Sequence, residues 1–570
     1  MVAGLNAASA DAAEVPEALY EPLFARLSAS PNAVPVVEAA ALIGREVDRG
    51  LLLAVLDLGE DEVDGVIGQL ADALVFESRN GHGWRFRHEL LREVAAELAP
   101  PSVRRDLHAK VADALVERVG DRDPDWRLVA DHYERAERFA DAALAYQHAA
   151  ADARRRGALA EARNYLTHAI DHLESGNPGH ERDRQELMLR LERGLLTTAA
   201  EGFSSRAAVA DIERCLQVGG TDLRDDRLFA TLNSVGSYYI TRADLSRAQQ
   251  VTELQRQGTE QGRDWFRPAL DGMTGLLAFL RGEFDTARPH LEAEVVGVLA
   301  NHDRIDAFWF NPNDLLVMAR TVLALLRMVQ GDLGGGEAEL TRAANYAERL
   351  PSPKGPYSTA HVRFTQVWIH TEAGQLDRAE ALVTDLLELS ERHGFDVWRG
   401  LGTTQHGFID ALRLIGVPAT DSELSARLAT LAELVDMFRS SELKIYLTAF
   451  DGILGRLLIA AGHFDAARRR LDIGLELAGE TDMHFYDAEL LRLRARTLLD
   501  SDARTAGVGD ALSIARRQGA HLFELRAALD DFELRGDPAR AALDDVVNRI
   551  PVNSGWPELA RAKAALAHAQ

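Results

Sequence analysis

The chain of 570 residues is too long for one hydrophobic core, which predicts two or more domains or an extended array of repeats. Its composition, 46% hydrophobic and 27% charged with few prolines, is typical of a water-soluble, helix-rich protein. The formal net charge of −25 argues against nucleic acid or an anionic membrane as a partner, and the single cysteine, Cys215, excludes an internal disulfide.

The N-terminal residues 1–14 lack the basic and apolar regions of a signal peptide, so we expect them to form a flexible leader. The longest apolar runs are far shorter than the roughly 20 residues that span a membrane. These features predict a cytoplasmic protein that does not bind membranes.

Residues 15–120 combine helical patterns with a change of period. Apolar residues recur at helical spacing over the segments 15–27, 33–43, 48–56 and 60–73. The alternating segments 74–78 and 84–87 then flank an Asn80-Gly81 turn, which is a strong signal for a β-hairpin. Helices followed by a hairpin predict a winged-helix domain over residues 15–120.

Many winged helices read DNA, but the segment 60–73, which would enter the groove, is unsuited to that role. It contains five acidic residues and no lysine or arginine, so phosphate would repel it. Gln69 alone does not supply the donors that base reading needs. We therefore expect no direct contact with nucleic acid.

The junction between the hairpin and the next helix carries a family resemblance. Residues 85–94, together with 43–47, resemble the winged-helix segment of bacterial signal-transduction ATPases of the STAND class. In that resemblance His88 matches the Met-His-Asp histidine that contacts a phosphate of bound ADP, and a helix start is suited to an anion. His88 is thus a candidate phosphate contact if another chain supplies the nucleotide domain. Alternatively, it merely caps the helix or forms a local hydrogen bond.

The sequence contains no nucleotide-binding motif of its own. A P-loop requires Gly-Lys followed by Ser or Thr, and none of the four lysines, Lys110, Lys354, Lys444 and Lys563, stands in that context. His88-Glu89 begins a sequence like that of a zinc-protease helix, but Arg92 occupies the place of the second histidine. We expect no cofactor, no metal site and no enzymatic activity.

Residues 121–570 contain a repeated turn. A glycine is followed five positions later by a small residue at 282–287, 331–336, 374–379 and 462–467, and looser copies lie at 242–248 and 138–142. A further small residue often stands twelve positions before the second one, as Gly275 stands before Ala287. Small residues at both points let paired helices approach closely, which is the logic of tetratricopeptide (TPR) repeats. The sequence predicts a mostly all-α protein with a TPR-like α-solenoid over residues 121–570.

The family resemblance extends along this array. Segments 355–360, 394–402, 484–494 and 515–519 resemble the C-terminal repeats of bacterial proteins that join a nucleotide cyclase, a STAND/AAA-type ATPase and TPR repeats. The cyclase and ATPase domains of those proteins have no counterpart in this sequence. The resemblance therefore implies a regulatory role without their catalytic activities.

The first helix of each repeat is predicted to line the concave face of the solenoid, where a partner would bind. Aromatic residues and methionines at helical spacing are alternatively explained as core. The candidate positions are Asn233, Ser237, Phe279, Met318, Met328, His361, Phe364, Trp368, His406 and Arg456.

Two functions are compatible with these features. The first is a non-catalytic signalling scaffold that binds protein partners through its repeats, with a separate ATPase or cyclase chain as a candidate partner. The second is a receptor in which the solenoid binds a small-molecule inducer of a transcriptional regulator.

Overall fold

A computed structural model describes residues 32–79, 83–118, 123–175, 179–202, 205–219, 226–306, 311–417, 421–551 and 554–568. These residues form 27 α-helices and three short strands, so the chain is mostly all-α, as the sequence predicts. Within the described ranges, no helix is both long and apolar enough to cross a membrane. The predicted leader, the predicted helix at 15–27 and the turn at 80–82 lie outside these ranges.

The chain divides into two compact units. The described residues of unit 1 lie within 32–152 and 164–185, and those of unit 2 lie within 153–163 and 186–568. Unit 1 thus extends beyond residue 120. A domain boundary at that residue stays a prediction.

Unit 1 begins with short helices that surround a small sheet. Its elements are α1 (Ala33–Ile43), β1 (Glu46–Asp48), α2 (Arg49–Val55), α3 (Glu60–Asp72), β2 (Phe76–Arg79), β3 (Gly83–Phe86), α4 (Glu89–Leu98), α5 (Pro101–Glu117) and α6 (Trp126–Arg135). The helices lie within one residue of the predicted segments 33–43, 48–56 and 60–73. β2 and β3 pair antiparallel, so the predicted hairpin strands are present.

The sequence analysis missed strand β1. It pairs antiparallel with β3, placing Val47 opposite Trp84 and giving the sheet the order β1-β3-β2. Three residues are too few for an alternating pattern to be recognised. Asp48 ends the strand and also caps α2, because the Leu51 N–H donates to its carboxylate at 2.8 Å. This cap explains why the sequence pattern predicts a helix from residue 48.

The core of unit 1 joins the sheet to the helices. Phe76 of β2 and Phe86 of β3 are buried with ring centroids 4.5 Å apart. They belong to one apolar cluster with Val37 of α1, Leu70 of α3 and Val94 of α4. The junction at residues 84–94 is therefore an integral part of this core.

The remaining helices continue the array. They are α7 (Phe139–Arg155), α8 (Leu159–Glu174), α9 (His180–Glu201), α10 (Arg206–Gly219), α11 (Asp226–Thr241), α12 (Leu245–Glu260), α13 (Arg267–Leu280), α14 (Phe284–Asp306), α15 (Leu315–Val329), α16 (Leu333–Ala347), α17 (Lys354–Glu372), α18 (Leu376–His393), α19 (Asp396–Leu414), α20 (Asp421–Ser440), α21 (Leu447–Ala460), α22 (Phe464–Thr481), α23 (Asp487–Arg496), α24 (Ser501–Gln518), α25 (His521–Arg535), α26 (Asp537–Arg549) and α27 (Pro557–His568).

Each predicted glycine turn joins two helices that pack against each other. Gly282, Gly331, Gly374 and Gly462 all have φ between 70° and 81° and stand two residues before the second helix. A Cβ atom on Gly275 would lie 2.8 Å from Leu291 Cγ, so the α13–α14 pair requires the small residue there. The repeated spacing therefore encodes a TPR-like solenoid, as predicted.

Unit 2 also closes on itself through segments that are distant in sequence. The backbone N–H groups of Lys444 and Ile445 donate to Thr241 O at 2.8 and 3.1 Å. The Phe485 N–H donates to Leu280 O at 3.0 Å. The loops before α21 and α23 thus lie against the C-terminal ends of α11 and α13.

Candidate functional site

A largely apolar cavity lies inside unit 2. About 110 Å³ is available to the centres of water-sized spheres, within a total empty space of about 950 Å³ that is partly open to solvent. Five successive first helices of the repeats contribute to its wall. Representative residues are Ile240 of α11, Phe279 of α13, Val322 of α15, Trp368 of α17 and Leu401 of α19.

The loops that close unit 2 complete the cavity. Leu443, Ile445 and Tyr446 come from the loop before α21, and Phe485 comes from the loop before α23. The ring centroids of Phe485 and Phe279 are 5.4 Å apart, which joins this loop to the wall. The cavity is consequently bounded by helices on one side and by the closing loops on the other.

A few polar groups interrupt the apolar wall. Ser237 is buried and lines the cavity. The Trp368 indole N–H is buried, and the described residues offer it no acceptor. Buried polar groups usually find partners, so unpaired groups beside a cavity indicate what a ligand would supply.

His361 is held in a defined orientation at the cavity. Its Nδ1 accepts a hydrogen bond from the Asn313 side-chain amide at 2.7 Å, and its ring stacks on Trp398 with centroids 5.3 Å apart. Burial lowers the pKa of His361 to about 4, so the ring is neutral at pH 7. With Nδ1 as acceptor, the proton lies on Nε2, which is a hydrogen-bond donor.

Half of the ten predicted concave-face residues line this cavity. They are Ser237, Phe279, Met318, His361 and Trp368. Phe364 belongs to the same aromatic cluster, because its ring contacts those of Trp368, Trp398 and Tyr446. Six of the ten residues chosen by helical register therefore lie together, at the cavity or in its aromatic cluster.

The other four predicted residues lie elsewhere. Asn233 lines a smaller adjacent void with a volume of about 20 Å³, and Met328 is buried near the C-terminal end of α15. His406 has a half-exposed side chain 3.8 Å from the Asp410 carboxylate. Arg456 donates to the carboxylate of Glu372 at 3.2 Å. The structure does not join these four residues to the cavity.

Several residues of the cavity were missed by the sequence analysis. Trp398 lies in the segment 394–402 that the family resemblance singled out, so its prominence was detectable but its location was not. Tyr446 and Phe485 come from loops, and register within helices could not identify them. Only the closing contacts bring these loops to the cavity.

His88, the candidate phosphate contact, lies in unit 1. It occupies the position before α4 with an extended backbone, and its exposed side chain makes no capping hydrogen bond. His88 therefore lies at a helix start, as predicted, but its side chain does not cap that helix. Phosphate binding by His88 stays a prediction.

The Cys215 thiol is buried, and its Sγ lies 3.6 Å from the Leu187 carbonyl oxygen. Burial raises the pKa of this thiol to about 12, because the charged thiolate is disfavoured away from water. In the part of the chain that the structure describes, no group of three or more His, Cys, Asp or Glu side chains is arranged to hold a metal ion.

Comparisons with known proteins give a distant likeness. No protein-family model matches the chain. An uncharacterized protein of Rhizobium meliloti (strain 1021) is 23% identical over 520 residues, which cover 89% of this chain and 49% of that protein. The chain therefore spans about half the length of this curated relative.

The solved structures that resemble the chain are also remote in sequence. A Rap protein complexed with competence and sporulation factor is 13% identical, with a TM-score of 0.45, over 68% of this chain and all of that one. A STAND protein with a tetratricopeptide-repeat sensor from Pyrococcus horikoshii is 10% identical, with a TM-score of 0.32, over 94% of this chain and 68% of that one. Yeast Tom70 is 13% identical, with a TM-score of 0.32, over 81% and 94% of the two chains.

Proposed function

We propose that this chain is a non-catalytic signalling scaffold that binds a protein partner through its helical repeats. The observation that carries the proposal is an apolar side chain exposed to solvent. Leu499, in the turn between α23 and α24, is 91% exposed. Phe464 at the start of α22 is 44% exposed, and both residues line one groove. Exposed apolar clusters of this kind are typical of protein interaction sites.

The turn that carries Leu499 is held rigidly by polar contacts. The Arg504 guanidinium donates to Leu498 O at 3.1 and 2.6 Å, and Arg468 donates to Thr497 O at 2.7 Å. The Ala503 N–H donates to the Asp500 carboxylate at 2.7 Å, which caps α24. These contacts hold the backbone on both sides of Leu499, so the turn loses little backbone entropy on binding.

The partner that fits this surface is a protein with an apolar pocket for Leu499. Six of the ten residues that the sequence predicts on the partner-binding face are buried, so a protein partner cannot reach them: Asn233, Ser237, Phe279, Met328, Phe364 and Trp368. We therefore assign the contact to this groove. The family resemblance supports a separate ATPase or cyclase chain as the partner. In that arrangement His88 is the residue that would meet a phosphate of nucleotide bound to the partner chain.

A photo-crosslinking amino acid at position 499 tests the docking surface. In producing cells it should capture a partner that the same amino acid at Val296, 68% exposed on α14, does not capture. With the captured partner purified, Leu499→Asp should weaken binding by about 30-fold or more, as expected for a central anchor, while Val296→Asp should leave binding unchanged. Equal affinities for the two variants would refute the assignment.

The absence of catalysis is tested separately. Purified chain should neither hydrolyse ATP nor form cyclic AMP, and either activity would overturn the proposal. His88→Ala should leave partner binding unchanged without nucleotide. If the partner is an ATPase, the same change should weaken only the nucleotide-dependent part of binding.

A further inference from the structure

We infer that the cavity in unit 2 binds a small, uncharged, mainly apolar molecule of about one ring that carries a hydrogen-bond acceptor. This site is separate from the Leu499 groove, so the inference does not depend on the proposed protein partner. Nothing in the comparisons assigns a ligand to this cavity. The charge, the closure and the polar groups of the cavity wall define this ligand.

The wall excludes charged ligands. Of the 21 described residues that line the cavity, none is Asp, Glu, Lys or Arg, although 27% of the whole chain is charged. A charged molecule would lose its hydration without gaining an opposite charge, which is strongly unfavourable. His361 does not alter this conclusion because it is neutral at pH 7.

The closure of the wall favours a small molecule over a peptide. An extended peptide needs a continuous groove, but the loops carrying Ile445 and Phe485 are hydrogen-bonded to Thr241 and Leu280 along the edge of the cavity. The space available to the centres of water-sized spheres is also small, about 110 Å³. An engineered apolar cavity of about 150 Å³ binds benzene, so this one accommodates a molecule of roughly one ring.

The polar groups of the wall define the ligand's functional group. The Trp368 indole nitrogen can only donate, and the described residues offer it no acceptor. His361 Nε2 also donates, because Nδ1 accepts from Asn313. A carbonyl or ether oxygen on the ligand would accept from the Trp368 N–H, whereas a hydrocarbon would leave that donor unpaired.

Three probes of similar size separate these properties. Acetophenone has an apolar ring and a carbonyl oxygen, ethylbenzene lacks the oxygen, and benzoate carries a charge. Titration of the full chain followed by calorimetry and ligand-observed NMR should show acetophenone binding about tenfold more tightly than ethylbenzene, the equivalent of one hydrogen bond. Benzoate should not bind measurably. Absence of acetophenone binding at millimolar concentration, or equal binding of benzoate, would overturn the inference.

Two variants locate the binding. Val322→Trp should fill the cavity and abolish acetophenone binding, while Leu299→Trp on the exposed side of α14 should leave it unchanged. Trp368→Phe retains an aromatic ring but removes the donor, so acetophenone should fall to the affinity of ethylbenzene if Trp368 supplies the bond. Circular dichroism establishes that each variant is folded. Binding of acetophenone that survives Val322→Trp in folded protein would refute the site.

Discussion

The turns within the helix pairs share one backbone conformation, with a positive φ at the same position. Gly462 adopts φ 78° between α21 and α22, in the left-handed region that glycine enters without a steric penalty. The looser copies of the turn place Ala243 and Glu137 at the equivalent position, with φ 61° and 57°. The same backbone turn is therefore retained where the glycine signal has disappeared, at the cost of local strain.

Gly462→Ala should lower the free energy of unfolding of unit 2 by about 1–2 kcal/mol, because a Cβ atom is disfavoured in the left-handed region. No atom lies within 4 Å of the new Cβ, so strain in the backbone is the only cost. Gly479→Ala, within α22 and equally unobstructed, is the matched control and should stabilise the unit by up to about 1 kcal/mol. Chemical unfolding of both variants measures the difference, and shifts in the same direction would contradict the explanation.

At the scale of elements, a buried ion network holds together helices that are far apart in sequence. The Arg526 guanidinium of α25 donates to Glu372 of α17 at 2.8 Å and to Glu558 of α27 at 2.8 Å. Arg526 and Glu372 are almost fully buried, with 3% and 1% of their side chains exposed. Burial alone would raise the pKa of Glu372, but Arg456 and Arg526 outweigh it and lower that pKa.

Arg526→Met should destabilise unit 2 by about 3–5 kcal/mol, since it leaves buried carboxylates without their partner. Arg561→Met is the control, because Arg561 pairs with Glu533 at the surface with more than half of each side chain exposed. Removal of that surface pair should cost less than about 1 kcal/mol. Thermal and denaturant unfolding compare the two, and a small loss for Arg526→Met would show that the network does not stabilise the fold.

A second contact between elements makes unit 1 sensitive to acid. His108 of α5 and His132 of α6 are buried with their Nδ1 atoms 2.9 Å apart. Burial lowers both pKa values, and nearby Arg135 lowers them further. The unfolded chain therefore binds these protons near pH 6.5, whereas the folded unit resists them until the pH is several units lower.

The free energy of unfolding of unit 1 should accordingly fall as the pH decreases from about 6.5 towards 4. The slope of this fall is proportional to the number of extra protons that the unfolded unit binds, which is at most two for this pair. His132→Phe should reduce that slope by about one proton, even if it also lowers stability at pH 7. His180→Gln, at an exposed position in the same unit, should retain the wild-type slope. Calorimetric unfolding across this pH range checks the difference, and an unchanged slope for His132→Phe would exclude the pair as its source.

At the scale of the whole molecule, the acidic charge sets the long-range field. The net charge is −25, and α3 begins with Glu60, Asp61 and Glu62. Arg49, the neighbouring cation, donates to the carboxylate of Asp64 at 2.7 Å and to that of Glu60 at 3.2 Å, so it is already neutralised. The helix that would read DNA in a winged helix thus carries a net negative charge.

The full chain should not shift a labelled duplex in a mobility assay at physiological salt. Its field repels phosphate, and no lysine or arginine lies on α3 to release counterions. A matched variant with Asp61→Lys and Asp64→Lys tests whether charge alone prevents binding. Saturable binding by the natural chain would contradict the electrostatic argument.

The helices and the repeat are predictable from the amino-acid sequence alone, because both follow from local patterns. Apolar residues at helical spacing placed α1 within residues 33–43, and the glycine turns at 282, 331, 374 and 462 identified the paired helices. Register within the first helices also placed six of the ten candidate residues at the cavity or in its aromatic cluster.

What those helices enclose is not predictable from local patterns. The closure of the cavity by Ile445 and Phe485 and the pairing of Arg526 with Glu372 depend on segments brought together from distant parts of the chain. Strand β1 likewise exists only because β3 pairs with it. Periodicity shows which face of a helix is apolar, but long-range packing sets what covers that face, and here it forms a cavity that is only partly open to solvent.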